Sequence, residues 1–342
     1  MPPVGIFNVG LASVIITTTL ACIDSAAQQI GEPRESIAAP RVVLWEEKES
    51  VCSEVLLSRL RQVVEHGPND DNLRTLQAEA TRCSENAQYH ALLSLALENK
   101  GDLANAAKEM NAAIKLDPHD PNFFFQLAQV LFKNDDLGGA RVLLLRANHD
   151  FPDELWTYLF LATVYRDLGS LREAEEVLRG AATRWQQSSE VHILLGNVLS
   201  ETGQHTRALT EFETALRINP KLAQAYLFYG IELDNLNRTD DSISALKECV
   251  RLAPQMPNSH YYLGKVLLKK GEPTKAVQQL ETAINLDGQY ALAYFQLGKA
   301  YRQLGNSSRA EEYMQKYGAL SELQKSEETE RRQRFRDSLT SH

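Results

Sequence analysis

The chain has 342 residues and a mass of 38.4 kDa, enough for two ordinary domains or one elongated array. Hydrophobic residues at 43% and charged residues at 24% exclude a wholly disordered chain and a multi-span membrane protein alike. A net charge of −9 offers no global attraction to nucleic-acid phosphates, and four cysteines with no tight Cys/His cluster make neither a disulfide scaffold nor a structural zinc site.

Residues 1–27 begin the chain with an uncharged apolar run from Val4 to Ile23, closed by Asp24. Ser25-Ala26-Ala27 then supplies the small residues a signal peptidase prefers, although no Lys or Arg precedes the run. Three readings fit: a cleaved export signal, an uncleaved single-span anchor through residues 4–23, and an accidental apolar terminus. Thr19-Leu20-Ala21-Cys22 also faintly matches a bacterial lipoprotein box, with Thr19 where that box favours leucine. Export or membrane anchoring is the favoured expectation, and a cytoplasmic location the lesser one. Residues 28–50 carry Pro33 and Pro40 without sustained periodicity and read as an extended linker that ends near the apolar patch Val42–Trp45.

From there one period governs the chain. Gly101, Asp135, Gly169, Gly203, Asn237, Gly271 and Gly305 stand 34 residues apart. Small residues recur seven before each (Ser94 to Gly298), five after (Ala106 to Ala310) and twelve after, where only Tyr317 breaks the rule. Pro118, Pro152, Pro220 and Pro254 fall seventeen after. Between turn and breaker lie two stretches of about a dozen residues with apolar residues at helical spacing, so each unit is predicted to be a helix-turn-helix hairpin. Small slots mark where two helix backbones must approach closely. The turn residue is expected at positive φ, which Gly accepts freely and Asn or Asp tolerates.

Upstream, residues 51–86 read as a degenerate hairpin in which Gly67 keeps the lattice while Leu60 and Asn72 occupy slots that should be small. Relaxed slots suit an end unit with one neighbour. Cys52 opens its first helix and Cys83 closes its second, where the ends of an antiparallel hairpin meet, so these two cysteines either form a disulfide or are unrelated thiols. Cys249 fills an Ala slot and reads as a buried, inert residue.

The order of aromatic, Leu-Gly, Tyr, Ala and Pro slots, clearest at Tyr294, Leu297, Gly298, Tyr301 and Ala310, resembles the tetratricopeptide repeat. The resemblance covers residues 87–324 as seven tandem units. It implies an all-α fold, an α-solenoid (right-handed superhelix) of antiparallel helix hairpins, seven full units plus the degenerate N-terminal cap. Residues 325–342 are highly polar, with Glu327–Arg331, Glu328–Arg332 and Glu330–Arg334 at i, i+4, and read as a solvating helix that covers the last apolar face.

No catalytic motif appears: there is no His-Glu-x-x-His, no phosphate loop and no nucleophile elbow. His90, His192 and His260 share the aromatic slot, which favours packing over metal binding. Asn237-Arg238-Thr239 and Asn306-Ser307-Ser308 match the glycosylation sequon but lie at turns, where Asn is favoured anyway.

The resemblance implies that first helices line a concave groove. Ten before each turn residue stand Ala91, Phe125, Leu159, Ile193, Leu227, Tyr261 and Phe295, an apolar rail expected to be partly exposed. Phe132 lies three before its turn residue. Toward the carboxyl end the rail gains Lys265, Lys269, Lys299 and Arg302. The expected site is therefore Phe125, Phe132, Tyr261, Lys265, Lys269, Phe295, Lys299 and Arg302, suited to an extended or helical peptide carrying acidic residues; the equal alternative is that the ten-before slot packs between neighbouring helices and the lysines are solvated. Asn197 follows Ile193 rather than a lysine, so the family's carboxylate clamp is not supported. The expected function is a non-enzymatic, cofactor-free and metal-free scaffold that binds a protein segment, with no nucleic acid expected. A self-associating subunit with its groove self-occupied and an accessory that positions a substrate for a separate enzyme are the alternatives.

Overall fold

The computed structural model describes residues 54–67, 73–74 and 83–340, and within them fifteen helices and no strand. The chain divides into two compact units, 1–134 and 135–342, with the boundary at the turn inside the second repeat. The first unit holds α1 (Glu54–His66), α2 (Ala87–Asn99), α3 (Leu103–Leu116) and α4 (Pro121–Lys133). The second holds α5 (Leu137–Asp150), α6 (Leu155–Asp167), α7 (Leu171–Arg184), α8 (Ser189–Glu201), α9 (His205–Ile218), α10 (Ala223–Asn235), α11 (Thr239–Leu252), α12 (Pro257–Lys270), α13 (Pro273–Leu286), α14 (Ala291–Gln303) and α15 (Ser307–Thr340). The export segment, the linker, Val42–Trp45 and Cys52 lie outside the described residues.

Helix starts follow from local chemistry. Asn86 Oδ1 accepts from the Tyr89 amide at 2.8 Å and Asp136 Oδ1 from the Gly139 amide at 2.8 Å, so each satisfies an otherwise orphaned first-turn donor. Pro121, Pro257 and Pro273 enter at the first helical turn, where a missing N–H costs nothing. Every lattice turn residue has positive φ, including the non-glycines Asp135 at 61° and Asn237 at 59°. That conformation lets the next amide reach back to end the first helix: Arg238 N–H donates to Leu233 O at 2.8 Å, as Ser170 does to Tyr165 and Glu272 to Leu267.

The small slots hold each hairpin closed. A Cβ placed on Gly196 would stand 2.6 Å from the Phe212 ring, so α8 and α9 approach as closely as they do only because that Cβ is absent. Where serine replaces the small residue, its hydroxyl bonds a carbonyl of the facing helix. Ser94 Oγ donates to Ala106 O at 2.8 Å in the first unit, and Ser242 Oγ to Gly230 O at 2.7 Å in the second. Both hydroxyls are buried and satisfied, which removes the desolvation cost of a polar core group. Cys249 is a free, fully buried thiol whose pKa is pushed up to about 12 by burial. In the first unit, Leu60 fills its supposedly small slot while completely buried, within a core shared by Leu56, Leu57, Cys83, Tyr89 and Leu93.

The three histidines of the aromatic slot each tie two elements together. His90 Nδ1 meets Glu109 Oε2 at 2.7 Å and its Nε2 meets Ser84 O at 3.3 Å. His192 repeats both contacts with Glu211 at 2.7 Å and Gln186 O at 3.3 Å, and His260 with Gln279 at 2.9 Å and Pro254 O at 3.0 Å. Tyr294, in the same slot, donates to Gly288 O at 3.2 Å. The residue at this slot thus anchors the loop that precedes its own helix. The hydrogen bond to its glutamate is the main cause raising the pKa of His90 and of His192, against desolvation, which lowers it.

At the carboxyl end the polar tail continues the second helix of the last hairpin, so α15 runs unbroken for 34 residues where the other second helices of that unit have 14. Neither glycine nor proline interrupts the sequence between Ala319 and Thr340, and the i, i+4 Glu–Arg spacing favours continuation over a turn.

Asn237→Val places a β-branched side chain at positive φ and is expected to lower stability by about 1–2 kcal/mol, whereas Asn237→Gly is tolerated. Gly196→Val overpacks against Phe212 and is expected to cost about 1–3 kcal/mol; urea melts of both variants measure these effects. The histidine pairs carry a pH signature. Because the folded pKa values lie above the unfolded value of about 6.5, their contribution is complete below that pH and disappears as pH rises through the folded values. The stability gap between the protein and its His90→Phe, His192→Phe double variant should therefore be widest below about pH 6 and close toward alkaline pH; a gap that widens instead with rising pH contradicts this assignment.

Candidate functional site

In the second unit the first helices α6, α8, α10, α12 and α14 pack in series, each against the next. Among the described residues the second helices pack against the first helices on either side rather than against one another. The first helices are therefore the closely spaced row of this unit, and side chains three, six and ten before each turn residue lie along it.

The apolar rail is not an exposed surface. Leu159, Ile193, Leu227 and Tyr261 are each only 5–6% exposed, closed over by the first helix that follows. Tyr261 shows how: its ring lies 4.9 Å from the rings of Tyr262 and of Tyr290, the residue before α14. In the first unit Ala91 and Phe125 are buried likewise, and Phe132 is half-buried at the end of α4. Phe125 and Tyr261 are thus packing residues, a correction to the expected site. Phe295 differs. It is half-buried, because α14 is the last first helix, and its ring rests 5.2 Å from Tyr317.

The basic residues also divide. Lys269 Nζ bonds Asp234 Oδ1 at 2.6 Å, the Asp234 carbonyl at 3.2 Å and Asn237 Oδ1 at 3.3 Å, and Lys265 Nζ lies 3.8 Å from Asp234 Oδ2. Asp234 is itself buried on α10. These two lysines therefore join α12 to α10, while their side chains remain 40% and 43% exposed. Lys299 and Arg302 are exposed and meet no carboxylate within ion-pair distance among the described residues, although Lys299 Nζ sits 5.6 Å from the Phe295 ring centre.

Asp234 was missed as a partner, yet its signal was in the sequence. It stands one period plus one residue before Lys269, and Glu98–Lys133 in the first unit (2.5 Å) and Arg166–Glu201 in the second (3.9 Å) repeat that offset. Arg166 is buried between Asp167, at 3.2 Å, and Glu201. Desolvation raises the pKa of Asp167 despite the neighbouring guanidinium. Asn197, on the same row of helices, is 6% exposed, and its Nδ2 finds no hydrogen-bond acceptor among the described residues. Among the described residues no group of three His, Cys, Asp or Glu side chains converges as metal ligands would, and no helix is long and apolar enough to cross a membrane.

What remains open in the expected site is a short basic and aromatic patch at the end of the last hairpin: Phe295, Lys299 and Arg302 on α14, with Tyr317 on α15. Phe295, Lys299 and Arg302 share one helix face at i, i+4, i+7.

Family models match along the whole repeat region. Residues 82–225 match the "Tetratricopeptide repeat protein 21 ARM repeat", residues 223–256 and 292–320 match "Tetratricopeptide repeat", and residues 267–305 match "TPR repeat". Protein FlbA of Caulobacter vibrioides is 27% identical over 135 residues, which are 40% of this chain but only 23% of that protein. A tetratricopeptide repeat protein from Parabacteroides merdae has the same fold with a TM-score of 0.57 at 18% identity, covering 68% of this chain and 93% of that one. The crystal structure of the APC/C hetero-tetramer Cut9-Hcn1 gives 0.54 at 20% identity, covering 72% of this chain and 49% of that one. With matched 34-residue hairpins, a left-handed turn residue in each and serial packing of first helices, this chain is a tetratricopeptide-repeat protein.

Proposed function

We propose that the protein is a non-catalytic interaction scaffold that holds a segment of a partner protein, and that the segment is acidic and docks at the carboxyl-terminal end of the first-helix row. One observation carries this reading: Lys299 and Arg302 are exposed and unpaired beside the half-buried ring of Phe295, whereas the corresponding charges Arg166 and Asp234 are neutralised within the protein. An aromatic ring flanked by two free cations suits a carboxylate-bearing ligand.

The proposal includes export, or anchoring by residues 4–23, supported by the uncharged run Val4–Ile23 and the small residues after it. It also includes a Cys52–Cys83 bridge. The support is that Cys83 carries no free thiol, whereas Cys249 does. In the loop-entropy model such a bridge contributes about 3 kcal/mol, so reduction should lower the denaturation midpoint. A peptide map without reductant is expected to link Cys52 to Cys83; finding both as free thiols would remove the bridge from the proposal.

The scaffold reading is tested by paired affinity purification from the native host, with the intact protein and a Phe295→Ala, Lys299→Glu, Arg302→Glu variant as baits. All three changes lie on open surface or at its edge, and circular dichroism checks that the fold survives. A partner retained by the intact bait and lost from the variant is the expected result. Identical partners on both baits would move recognition to another surface.

A further inference from the structure

At each internal junction of the second unit, a first helix receives the next one through two slots. The residue ten before the turn is covered by the incoming helix, as Leu159, Ile193, Leu227 and Tyr261 are. At two of these junctions the residue three before the turn finds an opposite charge on the incoming helix. Arg166 of α6 faces Glu201 of α8 at 3.9 Å, and Asp234 of α10 faces Lys265 and Lys269 of α12 at 3.8 and 2.6 Å. The last first helix, α14, presents the same two slots with no further first helix on them among the described residues: Phe295 is half-buried, beside Tyr317 of α15, and Arg302 is exposed, with Lys299 between them. Because α15 runs straight on instead of turning back, the chain's own tail does not cover this face. It adds to the face instead, with Tyr317 and Leu320 half-buried and Leu323 47% exposed at three-residue spacing along α15.

We infer that this end of the array is a helix-docking face, completed by an amphipathic helix of a partner protein that bears a carboxylate opposite Arg302 and packs apolar residues on Phe295, Tyr317 and Leu320. The inference rests on the scaffold reading above and deepens it by giving the ligand a conformation and a register. Charge decides the occupant. An arginine at this slot in α6 is answered by a glutamate on the next first helix, and Arg302 and Lys299 ask for the same sign. The incoming helix takes the place of an eighth first helix, in contact with both α14 and α15, as α14 itself contacts both α12 and α13. An extended strand would cover the Phe295 ring but would not reproduce the i, i+4, i+7 spacing of Phe295, Lys299 and Arg302.

The test is selection from a displayed library of random 20-residue peptides on the purified full chain, followed by titration of the best synthetic peptide. Retained peptides should carry apolar residues at helical spacing together with Asp or Glu, and should show helical backbone chemical shifts when bound. Arg302→Glu or Lys299→Glu should each weaken binding about tenfold, and a peptide with its acid changed to Lys should recover affinity for Arg302→Glu. A proline at the centre of the peptide should abolish binding.

Peptides that lack acids, bind in extended form or ignore both charge reversals would overturn the inference. If binding is lost instead with Ile231→Glu, a half-buried residue six before its turn residue on α10, in a variant whose circular dichroism is unchanged, the ligand lies along the first-helix row: the helix-docking face is then wrong while the scaffold reading stands. If no peptide is retained and the intact and triple-variant baits also capture the same proteins, both fail. Sedimentation that shows a homo-oligomer dissolved by Arg302→Glu would make the occupant a second copy and likewise overturn the partner-helix inference.

Discussion

The whole structure depends on how closely two helix backbones approach inside each hairpin. Gly196 against Phe212 shows the limit, since one added carbon would stand 2.6 Å from the ring. The same constraint explains why Ser94 and Ser242 are accepted where alanine or glycine is usual: each hydroxyl lies against a carbonyl of the facing helix and bonds it, so proximity becomes a contact and not a clash. Only with the hairpin shut this tightly do first helices stand near enough to pack in series, and only then can a charge on one helix reach the next.

That series has a direction. Each first helix in the second unit is closed over by its successor, which makes burial at the ten-before slot a property of the junction and not of the residue. Leucine, isoleucine and tyrosine are equally buried there, whereas Phe295 is left half-open for want of a successor. Charges obey the same logic. Asp234 neutralises two lysines because α12 follows α10, whereas among the described residues no first helix packs beyond α14 to meet Arg302. Open surface, and with it the opportunity for recognition, concentrates where the repetition stops.

Much of this was readable from sequence, and the parts that were not have a common cause. Turn positions, small slots and the histidines of the aromatic slot follow from contacts within a hairpin and the loop before it, so periodicity alone locates them. Tyr261 looked available because its burial comes from the next repeat, through Tyr290 and α14. Lys265 and Lys269 looked free because their partner is Asp234, more than thirty residues away. The course of the tail has a local signal of its own: no glycine or proline interrupts Ala319 to Thr340, and the i, i+4 Glu–Arg spacing favours a continuous helix.

The uninterrupted α15 has a mechanical consequence. At about 1.5 Å of rise per residue, the stretch from Leu320 to Thr340 extends roughly 30 Å beyond the length of an ordinary second helix. A helix of that length is a stiff spar, not a tether, so it sets both the distance and the bearing of whatever it carries. Swivelling there needs a break in the helix, and shortening the spar by single residues turns its far end by about 100° each time.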